Sequence, residues 1–344
     1  MRMTRGRIGA IYRAGVAVAV SLGVAAVAWV PPAQSAEPIT IKMASYGGPS
    51  YPIRIHLETV KDMLEKRSQG RLKVDHYPAE SLVKLAKAFD AVIDNVVQIA
   101  LTSAAYEPKR MGVVAAVANS PWNWDAYKFG EHYREPGSFY DFAAPHFERN
   151  GLKLMSWPNV PHGEVFSSKP IRKLEDFKGK MLRTVSSLKE PLKLLGAEPI
   201  FIPTSELFNA IQRGTVDGGT LAISSIFSEK YYEVAPHIQI ANLYTGSLPV
   251  IMNLKFFNSL PPDMKTLVWD TFVEADKQYY RKIRQDTTEV INQLKGMKPK
   301  VQVYEVPAEE VARWKAALKP FHDEMAKTWG AEWTRFEKIR ETLR

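Results

Sequence analysis

The stretch DFKGKMLRTVSS, residues 176–187, places a permanent charge where charge is costly. Met181 to Val185 reads as a short apolar strand, and Arg183 stands in its latter part. A guanidinium cannot give up its proton, so burying it demands a partner. Its planar fork of donors suits a carboxylate held bidentately. Thr184, Ser186 and Ser187 follow and can donate further hydrogen bonds. Ligands of open α/β sheets sit beyond the carboxyl ends of the strands, which is where these residues fall. The residues alone leave three readings: a carboxylate ligand, a salt bridge to an Asp or Glu, or a strand-end residue reaching water.

Catalysis has little to draw on. The chain contains no G-x-S-x-G, H-E-x-x-H, P-loop or G-x-G-x-x-G. It has no cysteine, hence no thiolate nucleophile and no Cys-ligated zinc. His162-Gly163-Glu164 has the H-x-E order of zinc deaminases, but the P-C-x-x-C partner is missing. Carboxylates paired in space, as in glycosidases, cannot be read from spacing. A binding protein with no metal, no cofactor and no enzymatic activity is expected.

Strand, helix and strand follow one another at the start of the folded region. ITIKMASY (39–46) reads as a strand ending at Gly47-Gly48-Pro49. Leu57, Val60, Met63 and Leu64 mark one face of a helix that ends near Gly70. LKVDHYP is a strand stopped by Pro78. That order is a βαβ unit, so a parallel sheet with helices on its faces is expected. A weak repeat follows. FDAVIDNVVQIA from Phe89 and FNAIQRGTVDGG from Phe208 share Phe, Ala and Val in register, with Asn95 opposite Gly214. Both copies read as helix, left-handed cap and strand, implying two similar α/β lobes.

Residues 109–150 are aromatic and helical in pattern; Trp122 and Trp124 there are either pocket or core. GLKLMSW (151–157) reads as a strand ended by Trp157-Pro158. From Pro262 to Leu294 one apolar stripe runs through Val268, Phe272, Ala275, Tyr279, Ile283 and Val290. Such a helix is about 50 Å long, more than one small lobe needs. VQVYEV alternates as a strand. A final single helix carries Val311, Trp314, Leu318, Phe321, Met325 and Trp329 as packing residues.

The 344 residues suffice for two domains, and 45% hydrophobic with 24% charged residues is the composition of a folded globular chain. Arg2, Arg5, Arg7 and Arg13, then an apolar run from Ala14 to Val30, then Pro31 to Ala36, have the layout of a secretory signal peptide over residues 1–36. The run is short for a membrane span. Removing this segment, with four arginines and no acids, takes the formal charge from +9 to +5. The scattered basic residues and the expected export argue against nucleic acid as a partner. An exported chain without disulfides must rely on core packing, which its size permits.

The sequence around Arg183 resembles the DctP-type substrate-binding proteins of TRAP transporters. LEDFKGKMLRTVSS, then LGAEPIFIPTSELFNAIQRGTVDGG, carries a D-x-K-G-x-x-x-R strand, LGA-x-P, a helix opening with S-E and an A-I-Q-x-G-x-x-D-G turn, all in order. FDAVIDNVVQIALTSAAYEPKR and VIMNLKFFNSLPPDMKTLV are similar to the family's first-lobe segment and return crossing. The resemblance implies an α/β fold of the two-lobe, periplasmic-binding-protein (clamshell) type, with crossing hinge strands and a long helix spanning both lobes. It places lobe I at 37–157 plus 250–280, and lobe II at 158–249 plus 281–344, with C-terminal helices packing across the lobes. It further implies a periplasmic receptor that closes on one organic acid. The receptor would deliver that acid to a permease with a small and a large membrane subunit, or signal to a membrane sensor.

Carried over by position, Arg183 is the arginine expected to clamp the ligand carboxylate. Tyr46, Ser186 and Thr204 are expected at the cleft, Thr204 also as a possible helix N-cap. Ser103 and Tyr106 are expected on the opposite wall, and Trp157 and His162 around the first crossing. Glu206 and Asp217 are expected to hold local structure. Two positions depart from the family pattern. Leu221 stands where many members have an asparagine that helps hold the carboxylate. Gly163 stands where sialic-acid binders have a second arginine. One assured cation favours a monocarboxylate with an apolar or aromatic body over a dicarboxylate, unless a protonated His162 supplies a second pole.

Overall fold

Pro52, which fixes its own φ and needs no N–H, opens the helix Pro52–Arg67 that joins the first two strands, β1 (Ile39–Ala44) and β2 (Leu72–Tyr77). The helix buries Ile53, Leu57, Val60 and Leu64, and the strands pair in parallel, completing the βαβ unit. The computed structural model describes residues 37–118 and 120–343; the expected signal peptide lies outside the described residues. The remaining strands are β3 (Ile99–Leu101), β4 (Leu152–Ser156), β5 (Asn159–Ser167), β6 (Met181–Thr184), β7 (Glu198–Phe201), β8 (Gly218–Ala222), β9 (His237–Ser247), β10 (Val250–Asn253) and β11 (Gln302–Glu305).

They form two sheets, ordered β2-β1-β3-β10-β4 and β11-β9-β5-β8-β6-β7. β1 lies parallel between β2 and β3, and β6 lies parallel between β7 and β8. The next strand is antiparallel in both sheets, β10 beside β3 and β5 beside β8. Each of those directly follows a strand of the other sheet, β5 after β4 and β10 after β9, so the chain crosses between lobes at these two points. The repeat seen in the sequence has a structural counterpart. Asn95 (φ 57°) and Gly214 (φ 72°) are both left-handed, and they precede β3 and β8, which hold equivalent places.

The long helix is Pro262–Gly296, 35 residues. Val268, Phe272, Ala275 and Ile283 pack in the first lobe's core, whereas Leu294 packs in the second's. It also pins the first crossing. Tyr280 donates its hydroxyl to the Trp157 carbonyl at 2.7 Å, and Tyr279 donates to the Asn159 carbonyl at 2.7 Å. One turn earlier, buried Asp276 accepts from Tyr133, Ser156 and Arg134, with His56 Nε2 3.2 Å away. The end of β4, the first helix and the aromatic region thereby meet on one carboxylate.

The single C-terminal helix expected from the apolar stripe is instead broken. Ala308–Ala317 and Lys319–Thr342 are separate helices, and the second is itself interrupted at Gly330 (φ 48°). Pro320 supplies the reason for the first break: it has no N–H to donate to the Ala316 carbonyl, and its ring crowds that carbonyl, while a proline is tolerated in the first turn of the helix that follows. The stripe is also divided in its packing: Trp314 and Leu318 belong to the second lobe's core, Met325 and Trp329 to the first's.

Burial by itself pushes the Asp276 carboxyl up, but Arg134, His56 and Ser156 together outweigh it and hold it below the usual carboxylate range. Its stabilising contribution is therefore full above the unfolded-state value of about 3.9 and is lost as pH falls through the depressed folded value. Asp276→Asn, which strands the buried Arg134 charge, should cost about 3–5 kcal/mol in urea unfolding at pH 7. Its effect should shrink in acid.

Candidate functional site

Arg183 is 1% exposed, in the middle of β6, and no Asp or Glu lies within ion-pair distance of it among the described residues. Its guanidinium is met by neutral groups only. Nε donates to the Ile202 carbonyl at 2.8 Å, and Nη1 to the Thr220 carbonyl at 3.4 Å. Nη2 donates to Thr204 Oγ1 at 2.7 Å and to the Tyr106 hydroxyl at 3.4 Å. The contrast with Arg134 is direct, for that buried guanidinium has Asp276 at 2.6 Å. The Arg183 side chain borders a cavity of about 60 Å³ between the lobes.

Six of the residues expected at the site line this cavity: Tyr46, Ser103 and Tyr106 from the first lobe, Arg183, Thr204 and Leu221 from the second. Thr204 does not cap its helix; its hydroxyl makes no capping bond and accepts from Arg183 instead. Tyr106 reaches over from the first lobe, its hydroxyl within 3.4 Å of both Arg183 and Thr204. Tyr46 projects a buried hydroxyl that has no hydrogen-bond partner among the described residues. Burial holds that phenol far above its ordinary pKa, reinforced by Tyr231, Tyr51 and Glu229, so it stays neutral. Asp217 accepts the Met181 N–H at 2.9 Å and so fixes the start of the strand that carries Arg183.

Two expected site residues lie elsewhere. Trp157 is fully buried in the first lobe's core, edge-on to Phe139 and Phe147. The crossing turns its indole inward, away from the cavity. His162 (φ 56°) has Nδ1 3.1 Å from Glu164 and borders a wider crevice of about 680 Å³ with Trp122 and Trp124. A bulged register in β5 aims it there. The wider crevice lacks the feature that marks the smaller one, a buried guanidinium without a carboxylate. Trp124 is mainly core, stacked on Phe129 at 4.7 Å. Ser186 begins the helix Ser186–Leu194, and its side chain lies outside the described atoms.

The cavity also has walls that sequence reasoning missed: Tyr51, Ser225, Tyr244, Ser247 and Leu248. Tyr51 and Ser225 follow β1 and β8, so the rule that ligands sit beyond strand ends was a usable signal for both. Tyr244 lies on a crossing strand, far in sequence from every motif. It explains Gly163. A Cβ at position 163 would come within 2.5 Å of the Tyr244 ring, so the tyrosine fills the space where the resemblance places a second arginine in sialic-acid binders.

The sequence model of the bacterial extracellular solute-binding proteins, family 7 (DctP), matches residues 43–328. The chain belongs to this family. It is a TRAP-type solute-binding protein, not an enzyme. It is 29% identical over 334 residues to the C4-dicarboxylate-binding periplasmic protein DctP of Rhodobacter capsulatus, covering 96% of each chain. Its fold matches that of a TRAP periplasmic solute-binding protein from Shewanella oneidensis with bound succinate, at TM-score 0.82 and 21% identity, covering 89% of this chain and 100% of that one. It is also similar to the sugar acid binding protein of Advenella mimigardefordensis in complex with galactonate, at TM-score 0.81 and 23% identity, covering 89% and 98%. Among the described residues no helix of this family member is long and apolar enough to cross a membrane.

Because the Tyr46 hydroxyl has no partner, Tyr46→Phe should leave the thermal midpoint of the unliganded protein unchanged or slightly raised, since removing an unsatisfied buried group is near neutral. Thr204→Val, which takes an acceptor from a buried charged donor, should lower stability by about 1–3 kcal/mol in the same assay.

Proposed function

We propose that this protein is a periplasmic receptor that captures a small organic acid through Arg183 and delivers it to a two-subunit TRAP permease. The observation that carries this reading is the buried Arg183 guanidinium, which borders an inter-lobe cavity and has no carboxylate beside it among the described residues. A ligand carboxylate would supply the missing charge, and lobe closure would remove water from the pair and strengthen it. The chemistry of the relatives agrees, since those named above bind C4-dicarboxylate, succinate and galactonate.

Within that class, a monocarboxylate with an apolar or aromatic body is favoured over a dicarboxylate. Arg183 is the one Lys, Arg or His among the residues lining the cavity. The rest of the lining is hydroxyl-bearing side chains, Tyr46, Tyr106, Thr204 and Tyr244 among them, and small or aliphatic residues, Leu85, Val160, Leu221 and Leu248 among them. A second carboxylate would have no cation to meet and would bear an uncompensated desolvation cost. Tyr244 and Tyr46 are kept neutral by burial and serve as hydrogen-bonding groups, not as charges. The cavity's volume of about 60 Å³ is that of about two liquid waters. That favours a short acid over a sialic acid. The dicarboxylate reading draws on the Rhodobacter and Shewanella relatives.

Isothermal titration with butyrate and succinate separates the two. Butyrate binding at least tenfold more tightly supports the monocarboxylate reading. Succinate binding more tightly than any monocarboxylate overturns it while leaving the receptor reading standing. Arg183→Ala should abolish acid-induced thermal stabilisation. Arg183→Lys should lose most of it, because an ammonium cannot reproduce the fork. An Arg183→Ala variant that binds acids like the wild type would place the clamp elsewhere.

A further inference from the structure

The loop YGGPS (46–50) leaves β1 and approaches the opposite lobe. Gly47 is left-handed (φ 96°), and a Cβ there would lie 2.3 Å from the Tyr51 ring, so only glycine lets the loop fold back on Tyr51. Tyr51 donates its N–H to the Gly48 carbonyl at 3.0 Å, and the Tyr46 and Tyr51 rings meet edge to face at 5.4 Å. The loop is thus braced by two tyrosines that line the cavity, and it presents the Gly48 N–H outward.

That N–H donates to Glu229 Oε1 at 2.8 Å, across 181 residues of sequence and from one lobe to the other. Glu229 terminates the helix Ile223–Ser228, which continues from β8 and carries the cavity residue Ser225. Left-handed Lys230 (φ 56°) ends that helix. Glu229 is half-buried and has no Lys, Arg or His within ion-pair distance among the described residues; its other contact is the Ser228 hydroxyl at 3.3 Å. A half-buried carboxylate without a cation depends on its donors, and the principal one belongs to the opposite lobe. Glu229 does not line the cavity. Gly48 is the close-approach residue, since a Cβ there would stand 3.2 Å from Glu229 Oε1.

We propose that Glu229 is a closure latch: its carboxylate grips the Gly48 N–H when the lobes meet, and so sets ligand affinity and residence time without touching the ligand. This positioning role rests on the reading of the cleft as an organic-acid site. Opening the lobes breaks the bond and rehydrates both groups, so the latch adds to the closed state alone. Charge-assisted hydrogen bonds are the stronger kind, so its loss should weaken binding about ten- to hundredfold, chiefly through faster dissociation.

The chain has no cysteine, so Leu82→Cys and Lys189→Cys, at exposed positions of the first and second lobe, can carry a pair of spin labels without background. Electron–electron distance measurements on the labelled full chain, alone and with butyrate or succinate, then report closure directly. Glu229→Ala is expected to move the unliganded population toward the longer distance and to bind the effective acid at least tenfold more weakly. Glu229→Gln, which keeps an acceptor oxygen without the charge, should fall between. Both variants matching the wild type in distances and affinity would overturn the latch. If neither acid binds even the wild type, the receptor reading fails for these probes, while the unliganded distances still decide the latch.

Discussion

A guanidinium sealed from water with only neutral oxygens around it is the constraint on which this architecture turns. Arg183 is held by the carbonyls of Ile202 and Thr220 and the hydroxyls of Thr204 and Tyr106. Those groups orient the fork but do not neutralise it. The charge lies at the seam between lobes, beside the cavity that residues of both lobes line. The same charge would be a simple liability in a one-lobe core. The topology keeps it at the seam: β6 lies parallel between β7 and β8, and Arg183 near its carboxyl end meets the first lobe's Tyr106.

Two rigid devices serve that seam from a distance. The long helix fixes the first crossing through Tyr279, Tyr280 and Asp276. The matching strand orders of the two sheets then bring the carboxyl ends of β1, β3, β6 and β8 toward one another. This is why a tyrosine after β1, a serine and a tyrosine after β3, and an arginine on β6 share one cavity. The residues that give the cavity its chemical character are mostly hydroxyls kept neutral by burial. In the proposed reading, selectivity rests on shape and hydrogen bonding around one charge.

Much of this was legible in the chain. The βαβ unit, the two left-handed caps at Asn95 and Gly214, the long amphipathic stripe and the motif around Arg183 are local patterns, and local patterns survive folding. The C-terminal stripe was misleading because periodicity records which residues are apolar, not which partner each one meets. Trp314 and Trp329 share a stripe yet serve different lobes. Trp157 and His162 were placed by their nearness to the crossing, but a bulge and an inward-turned indole decide where such side chains point, and neither leaves a mark in residue type.

By itself, the sequence determined the family, the two-lobe α/β plan and the identity of the one charged residue worth asking about, because those depend on spacing and on motifs contiguous along the chain. Only the tertiary structure decided that Arg183 has no carboxylate beside it and that Thr204 serves the arginine and not its own helix. It also decided that Tyr244 occupies the space beside Gly163 and that Glu229 meets Gly48. Each of those depends on groups tens to hundreds of residues apart in the chain, and the last joins the two lobes. Side-chain type fixes what a group can bond to, but only the packed fold fixes what stands within three ångströms of it.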